Sequence, residues 1–236
     1  MEINLEFLIN QVDAENQVSF PYYFDGVKKE DANYKVMFIG NSITIHEPKP
    51  EICWVKKCGM AASDAEHDYV HIVYKYLLSK YQKVAMCVFN GGQWEKDFNN
   101  EKKLNPILEC AKEFKPDMVV IRIGSNFNKE YIKNGIDAYI GFSSLVKGIK
   151  AICHNVYLTS MFWHHDLIDE AILKVVKEEK VKYVKIDDLG GVREYLAYDQ
   201  YKNNAIYCGH PGDLGMEKIA ERIIKAIEEN EVKNND

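Results

Sequence analysis

The chain has 236 residues, 47% of them hydrophobic and 12% aromatic, with a net charge of −6 and a pI near 5.7. That length and composition suit one sizeable α/β domain with a full core, and the acidic balance, with lysines spread through helices, argues against nucleic acid as the main ligand. No apolar run approaches the roughly 18 residues of a membrane span, and the start Met1–Glu6 lacks the basic and apolar parts of a signal peptide, which together point to a cytoplasmic protein with no membrane partner.

Residues 1–34 stand outside the alternation that follows. Val18–Gly26 is aromatic and turn-rich, and fits a hairpin, a lid or a subunit contact; the oligomeric state stays open. The first strand is predicted at Val36–Ile39 and runs directly into Gly40-Asn41-Ser42-Ile43-Thr44. A helix over Asp64–Lys80 places Ala65, Tyr69, Ile72, Val73, Tyr76 and Leu77 on one stripe, with Ser63 or Asp64 as its N-cap. The second strand, Lys83–Phe89, leads into Asn90-Gly91-Gly92-Gln93-Trp94-Glu95. A helix over Asn105–Phe114 ends at the Lys115-Pro116-Asp117 break, and the third strand, Met118–Ile123, is followed by Gly124-Ser125-Asn126.

Asn128–Cys153 reads as a long helix interrupted near Gly141 or Gly148. Strand Val156–Ser160 then precedes Met161-Phe162-Trp163-His164-His165-Asp166 and a helix over Asp166–Glu179. The last strand, Tyr183–Ile186, is separated from a final helix over Asp213–Glu229 by a segment containing Cys208-Gly209-His210-Pro211-Gly212. Most of these strands are continuous apolar runs, as expected for strands buried on both faces. Alternating strands and helices give right-handed crossovers, so residues 35–236 are expected to form a three-layer α/β/α sandwich of flavodoxin-like type around a parallel five-stranded sheet. Six scattered cysteines with no Cys-x-x-Cys pair indicate reduced thiols and not a disulfide frame or zinc site.

Parallel topology sends the carboxyl ends of all five strands to one edge, where such sheets carry their chemistry. That edge collects the Ser42 hydroxyl, glycine-flanked amides, the Asn126 carboxamide and the His210 imidazole, an inventory for acyl transfer. Trp163-His164-His165 is a weak metal signal, because adjacent histidines point apart and no third ligand sits at a familiar spacing. No metal and no cofactor are expected. Trp54, Trp94, Trp163 and His164 are candidates for pocket walls, although tryptophan is also a common core residue.

With these segments in register, the chain resembles the GDSL/SGNH hydrolases, a family of esterases, acyl hydrolases and carbohydrate deacetylases on a flavodoxin-like fold. Gly40-Asn41-Ser42-Ile43-Thr44 is similar to the family block that holds the nucleophile. Ile123-Gly124-Ser125-Asn126 is similar to the block whose asparagine binds the oxyanion. His210-Pro211, followed by Gly215 and Ile219-Ala220, is similar to the block that holds the base. The resemblance spans residues 35–228 and implies Ser42 as nucleophile, His210 as base, and the Ser42 N–H and Asn126 side chain as oxyanion donors, with a third donor at Gly92 or Glu95. It implies a small-molecule ester substrate with short acyl groups, acetyl on a sugar among them.

One position departs from the family. Where an aspartate usually stands three residues before the histidine, this chain has Tyr207. Either Ser42 and His210 act as a dyad, steadied by a backbone carbonyl or the Tyr207 hydroxyl, or a carboxylate has migrated in from Glu95, Asp187, Asp188 or Asp213, or catalysis is impaired. Asp213 is equally a helix N-cap. An acyltransferase using the same serine and a non-catalytic binding protein on the same fold are the alternative readings.

Overall fold

The computed structural model describes residues 22–235 apart from 135 and 203; residues 1–21, which make up most of the N-terminal extension, lie outside the described part. Six strands form one sheet: β1 (Tyr22–Gly26), β2 (Tyr34–Gly40), β3 (Val84–Asn90), β4 (Met118–Arg122), β5 (Val156–Thr159) and β6 (Lys182–Val184), in the order β1-β3-β2-β4-β5-β6. Strands β2 to β6 are mutually parallel, as the apolar runs predict. The expectation of five strands needs one correction, because β1 adds an antiparallel edge strand beside β3. Its five residues run from partly buried to exposed and show neither an apolar run nor a clean alternation, so the pattern that marks the other strands is missing.

The helices are α1 (Tyr69–Tyr81), α2 (Gly92–Lys96), α3 (Glu101–Phe114), α4 (Lys129–Lys133), α5 (Ala138–Lys150), α6 (Asp166–Glu179) and α7 (Asp213–Asn235). Alternate strand residues feed opposite faces: Val36 and Phe38 pack with α1 and α7, whereas Met37 and Ile39 pack with α3, α5 and α6. This is the period-2 alternation of a strand serving two hydrophobic layers at once.

Several boundaries differ from expectation: α3 already starts at Glu101, α7 runs on to Asn235 and β6 is Lys182–Val184. Residues Ala65–His67 form a separate 3-10 turn, and α1 is capped by Asp68, which accepts the His71 N–H at 2.8 Å and the Gly59 N–H at 3.0 Å. The long helix is broken before Asp137, which caps α5 through the Tyr139 N–H. Gly141 and Gly148 lie inside α5 and serve close approach instead. A Cβ on Gly141 would stand 2.6 Å from the Phe98 ring, and one on Gly148 2.7 Å from Leu108.

Register sets up the catalytic edge. Gly40 of β2 pairs with Asn90 of β3 on one side and Arg122 of β4 on the other. The three turns that leave these strands therefore start level with one another.

Candidate active site

Gly40 ends β2 because nothing larger fits: a Cβ there would lie 2.7 Å from the Arg122 carbonyl oxygen and would overlap Thr44. The chain then makes one tight turn, with the Thr44 and Ile45 N–H groups donating to the Asn41 carbonyl at 2.9 and 3.0 Å. The Thr44 hydroxyl is tied to Tyr69 of α1 at 2.7 Å. Ser42 sits at the crest of this turn, partly buried, and its N–H has no acceptor among the described residues. Its Oγ lies 3.4 Å from His210 Nε2, a residue 168 positions away. That separation is long for a hydrogen bond, as is common before substrate tightens such a contact.

His210 is delivered by the loop between β6 and α7. Its N–H donates to the Tyr207 carbonyl at 2.9 Å, its carbonyl accepts the Ala197 N–H at 2.8 Å, and the Gly212 N–H donates to Tyr195 at 2.9 Å. The Trp163 ring stands edge-on to the imidazole, centroids 5.7 Å apart. Burial pushes the His210 pKa down to about 4, and the positive charges of Arg122 and His46 add to the shift. Among the described residues no carboxylate acts on the ring in the opposite sense.

Behind the two turns lies a charged couple that the sequence reading missed. Glu95 of α2 is wholly buried and Arg122 at the end of β4 is 1% exposed. They meet through the side chain of Asn41, which donates Nδ2–H to Glu95 Oε1 at 2.8 Å and accepts from Arg122 Nη1 at 2.6 Å. Glu95 Oε1 also accepts the Gly124 N–H, while Oε2 accepts Asn126 Nδ2–H at 2.9 Å. Arg122 Nη2 reaches Ser125 Oγ at 3.0 Å. Gly124 holds φ at +128°, a conformation that favours glycine. The Asn126 side chain is exposed and has a second amide hydrogen left for a ligand.

Several candidate residues are placed elsewhere. The two N–H groups expected to supply a third oxyanion donor are both engaged, Gly92 with Asn90 Oδ1 at 2.9 Å and Glu95 with the Gly91 carbonyl at 3.1 Å. None of the candidate orienting groups is turned to the His210 ring. The Tyr207 hydroxyl points to the Cys53 carbonyl at 3.4 Å, its ring packed against Trp54 and Tyr201. Asp187 pairs with Lys185 and Asp188 with Arg222. Asp213 opens α7 and accepts the Ser63 N–H at 2.7 Å. Glu95 serves the Asn41 and Asn126 amides.

Of the three tryptophans, only Trp163 touches the candidate base; Trp54 and Trp94 are core residues, each 1% exposed. His164 is exposed and faces Asp166, Asp169 and Asp187, and hydrogen bonding to Asp166 raises its pKa. His164, Asp169 and Asp187 bring one ligand atom each within 4.8 Å of one another. Both Asp169 oxygens are already taken by backbone N–H groups, those of Met161 and His165, so this aspartate acts as a clasp for its loop. Among the described residues no helix is long and apolar enough to cross a membrane.

No protein-family model matches the chain, and no curated protein is significantly similar to it in sequence. Solved structures are similar in fold. Axe2, an acetylxylan esterase from Geobacillus stearothermophilus, is 18% identical with a TM-score of 0.55, covering 85% of this chain and 96% of its own. TesA is 16% identical with a TM-score of 0.53, covering 82% and 97%. LAE5, an α/β hydrolase enzyme from the metagenome of Lake Arreo, Spain, is 16% identical with a TM-score of 0.54, covering 83% and 95%. Axe2 has also been solved as a serine-to-alanine and a histidine-to-alanine variant, each described as a catalytic mutant. At these identities the likeness is one of fold.

Proposed function

We propose that this chain is a serine esterase of the GDSL/SGNH type, hydrolysing small carboxylic esters through an acyl-enzyme on Ser42. The observation that carries the reading is the Ser42 Oγ–His210 Nε2 contact of 3.4 Å, made on a rim that also presents an unengaged Ser42 N–H and an exposed Asn126 amide. The acetylxylan esterase among the fold neighbours supports an acetyl group on a carbohydrate as the substrate class.

His210, neutral with its proton on Nδ1, takes the Ser42 proton at Nε2 as Oγ attacks the ester carbon. The oxyanion is held by the Ser42 N–H and the Asn126 amide. His210 then protonates the leaving alcohol, and in the second half it activates the water that releases the acid and restores Ser42. With no carboxylate to stabilise the imidazolium, the pair works as a dyad. A base with its pKa near 4 is a weak one, so more of the rate falls to the oxyanion donors.

The pH profile follows from the same geometry. The base must be neutral, and the pKa is depressed, so kcat/KM is expected to hold from about pH 8 down to about pH 5 and to fall only as pH drops through about 4. Initial rates on p-nitrophenyl acetate over that range are the check; an acid limb near the ordinary histidine value would contradict the electrostatics described above.

The missing carboxylate also favours a second reading, a non-catalytic binding protein on this fold. Intact-mass analysis after treatment with a fluorophosphonate separates the two. Addition of one phosphonyl group, lost in Ser42→Ala and His210→Ala, supports the esterase; an unlabelled wild type supports the binding protein.

A further inference from the structure

Among the described residues, every hydrogen-bond partner of the Glu95 carboxylate lies in the two turns that leave β2 and β4: Asn41 on one side, Gly124 and Asn126 on the other. A wholly buried carboxylate is costly unless it is hydrogen-bonded and balanced by charge. Here the balancing cation, Arg122, is reached through Asn41. This chain thus buries a charge couple directly behind the surface that would meet an oxyanion.

The consequence lies in the orientation of one amide. The Asn126 side chain is exposed, and an exposed carboxamide can present either its NH2 or its oxygen to a ligand. Glu95 Oε2, held at 2.9 Å from Asn126 Nδ2, is an acceptor only. It locks the NH2 group inward on one hydrogen, which leaves the second hydrogen to point at the substrate, and it repels the flipped amide whose oxygen would face both Glu95 and the oxyanion. Arg122 keeps the couple neutral, so the carboxylate does this without setting a net negative charge against the transition state. We propose that Glu95 is a positioning residue that fixes the Asn126 amide as an oxyanion donor. This inference rests on the esterase reading above.

A double-mutant cycle tests it, with p-nitrophenyl acetate hydrolysis and the rate of fluorophosphonate labelling as readouts. In Glu95→Gln the glutamine can offer an NH2 to the flipped Asn126, so the orientation is no longer enforced. This variant is expected to lose about 10- to 100-fold in kcat, with KM within about 3-fold of wild type, and Asn126→Ala about 100- to 1000-fold. Because Glu95 acts through Asn126, the double variant is expected to fall no further than about 3-fold below Asn126→Ala. Additive losses, or a folded Glu95→Gln with wild-type kcat, overturn the inference. If Glu95→Gln loses its cooperative melt, Glu95→Asp, with the charge kept and the carboxylate drawn back, takes its place in the cycle under the same criteria. A wild type that neither hydrolyses the ester nor takes up the phosphonate overturns the esterase reading itself, and the inference falls with it.

Discussion

Ser42→Ala is expected to lower acetyl-ester hydrolysis by about 10⁵- to 10⁶-fold, and His210→Ala by a similar factor, because a nucleophile and its base act as a unit and losing either removes the acyl-enzyme route. The two losses should not add: the double variant is expected to match the worse single one. What remains is the rate that bound substrate and the oxyanion donors provide without a nucleophile. Ser42→Ala should cost little stability. Among the described residues the only side-chain partner of Ser42 is His210, and substitutions away from buried networks usually stay within about 0.5 kcal/mol. Steady-state rates and thermal melts on the same preparations check both halves. Retention of more than a tenth of wild-type kcat in Ser42→Ala would place the chemistry elsewhere.

The second large effect is on folding. Arg122→Met removes a guanidinium that is 1% exposed and leaves the wholly buried Glu95 carboxylate without its counter-charge. Breaking a buried charge couple from one side costs about 3–5 kcal/mol, whereas replacing both members by neutral groups costs much less. Urea denaturation of Arg122→Met should show a loss in that range, and adding Glu95→Gln should recover part of it. Burial lowers the pKa of the arginine, and the Glu95 carboxylate acts against that shift. Equal stability of wild type and Arg122→Met would mean that the Asn41, Gly124 and Asn126 amides satisfy the carboxylate without a counter-charge.

The sequence showed the sheet well and the site only in outline, for identifiable reasons. Runs such as Met118–Ile123 announce a strand buried on both faces, and the turns after them follow from parallel topology. Gly40-Asn41-Ser42 and Gly124-Ser125-Asn126 are local patterns, so they were readable as well. The partners of Glu95 were not, because its bonds reach residues 54 and 31 positions away and no spacing rule encodes such contacts. A signal for Arg122 was nevertheless present: a permanent cation inside a five-residue strand that is buried throughout needs a partner, and asking for that partner leads to Asn41 and Glu95. No local pattern marks the Asn41 side chain as the bridge between the two charges. Tyr207, Trp54 and Trp94 are large residues near functional segments whose burial depends on loop packing, which pattern alone does not determine.

The span between Ser42 and His210 bears on how the molecule matures. The serine turn is built with the first parallel strand, but the imidazole arrives on a loop that is anchored only when Ala197, Tyr195 and Gly212 have locked together. A contact between residues so far apart in sequence meets its loop-closure entropy before it is rewarded, which makes it a late one. During refolding, secondary structure should therefore return ahead of reactivity at Ser42. A covalent probe for that serine counts finished molecules and is blind to intermediates that already have a complete sheet.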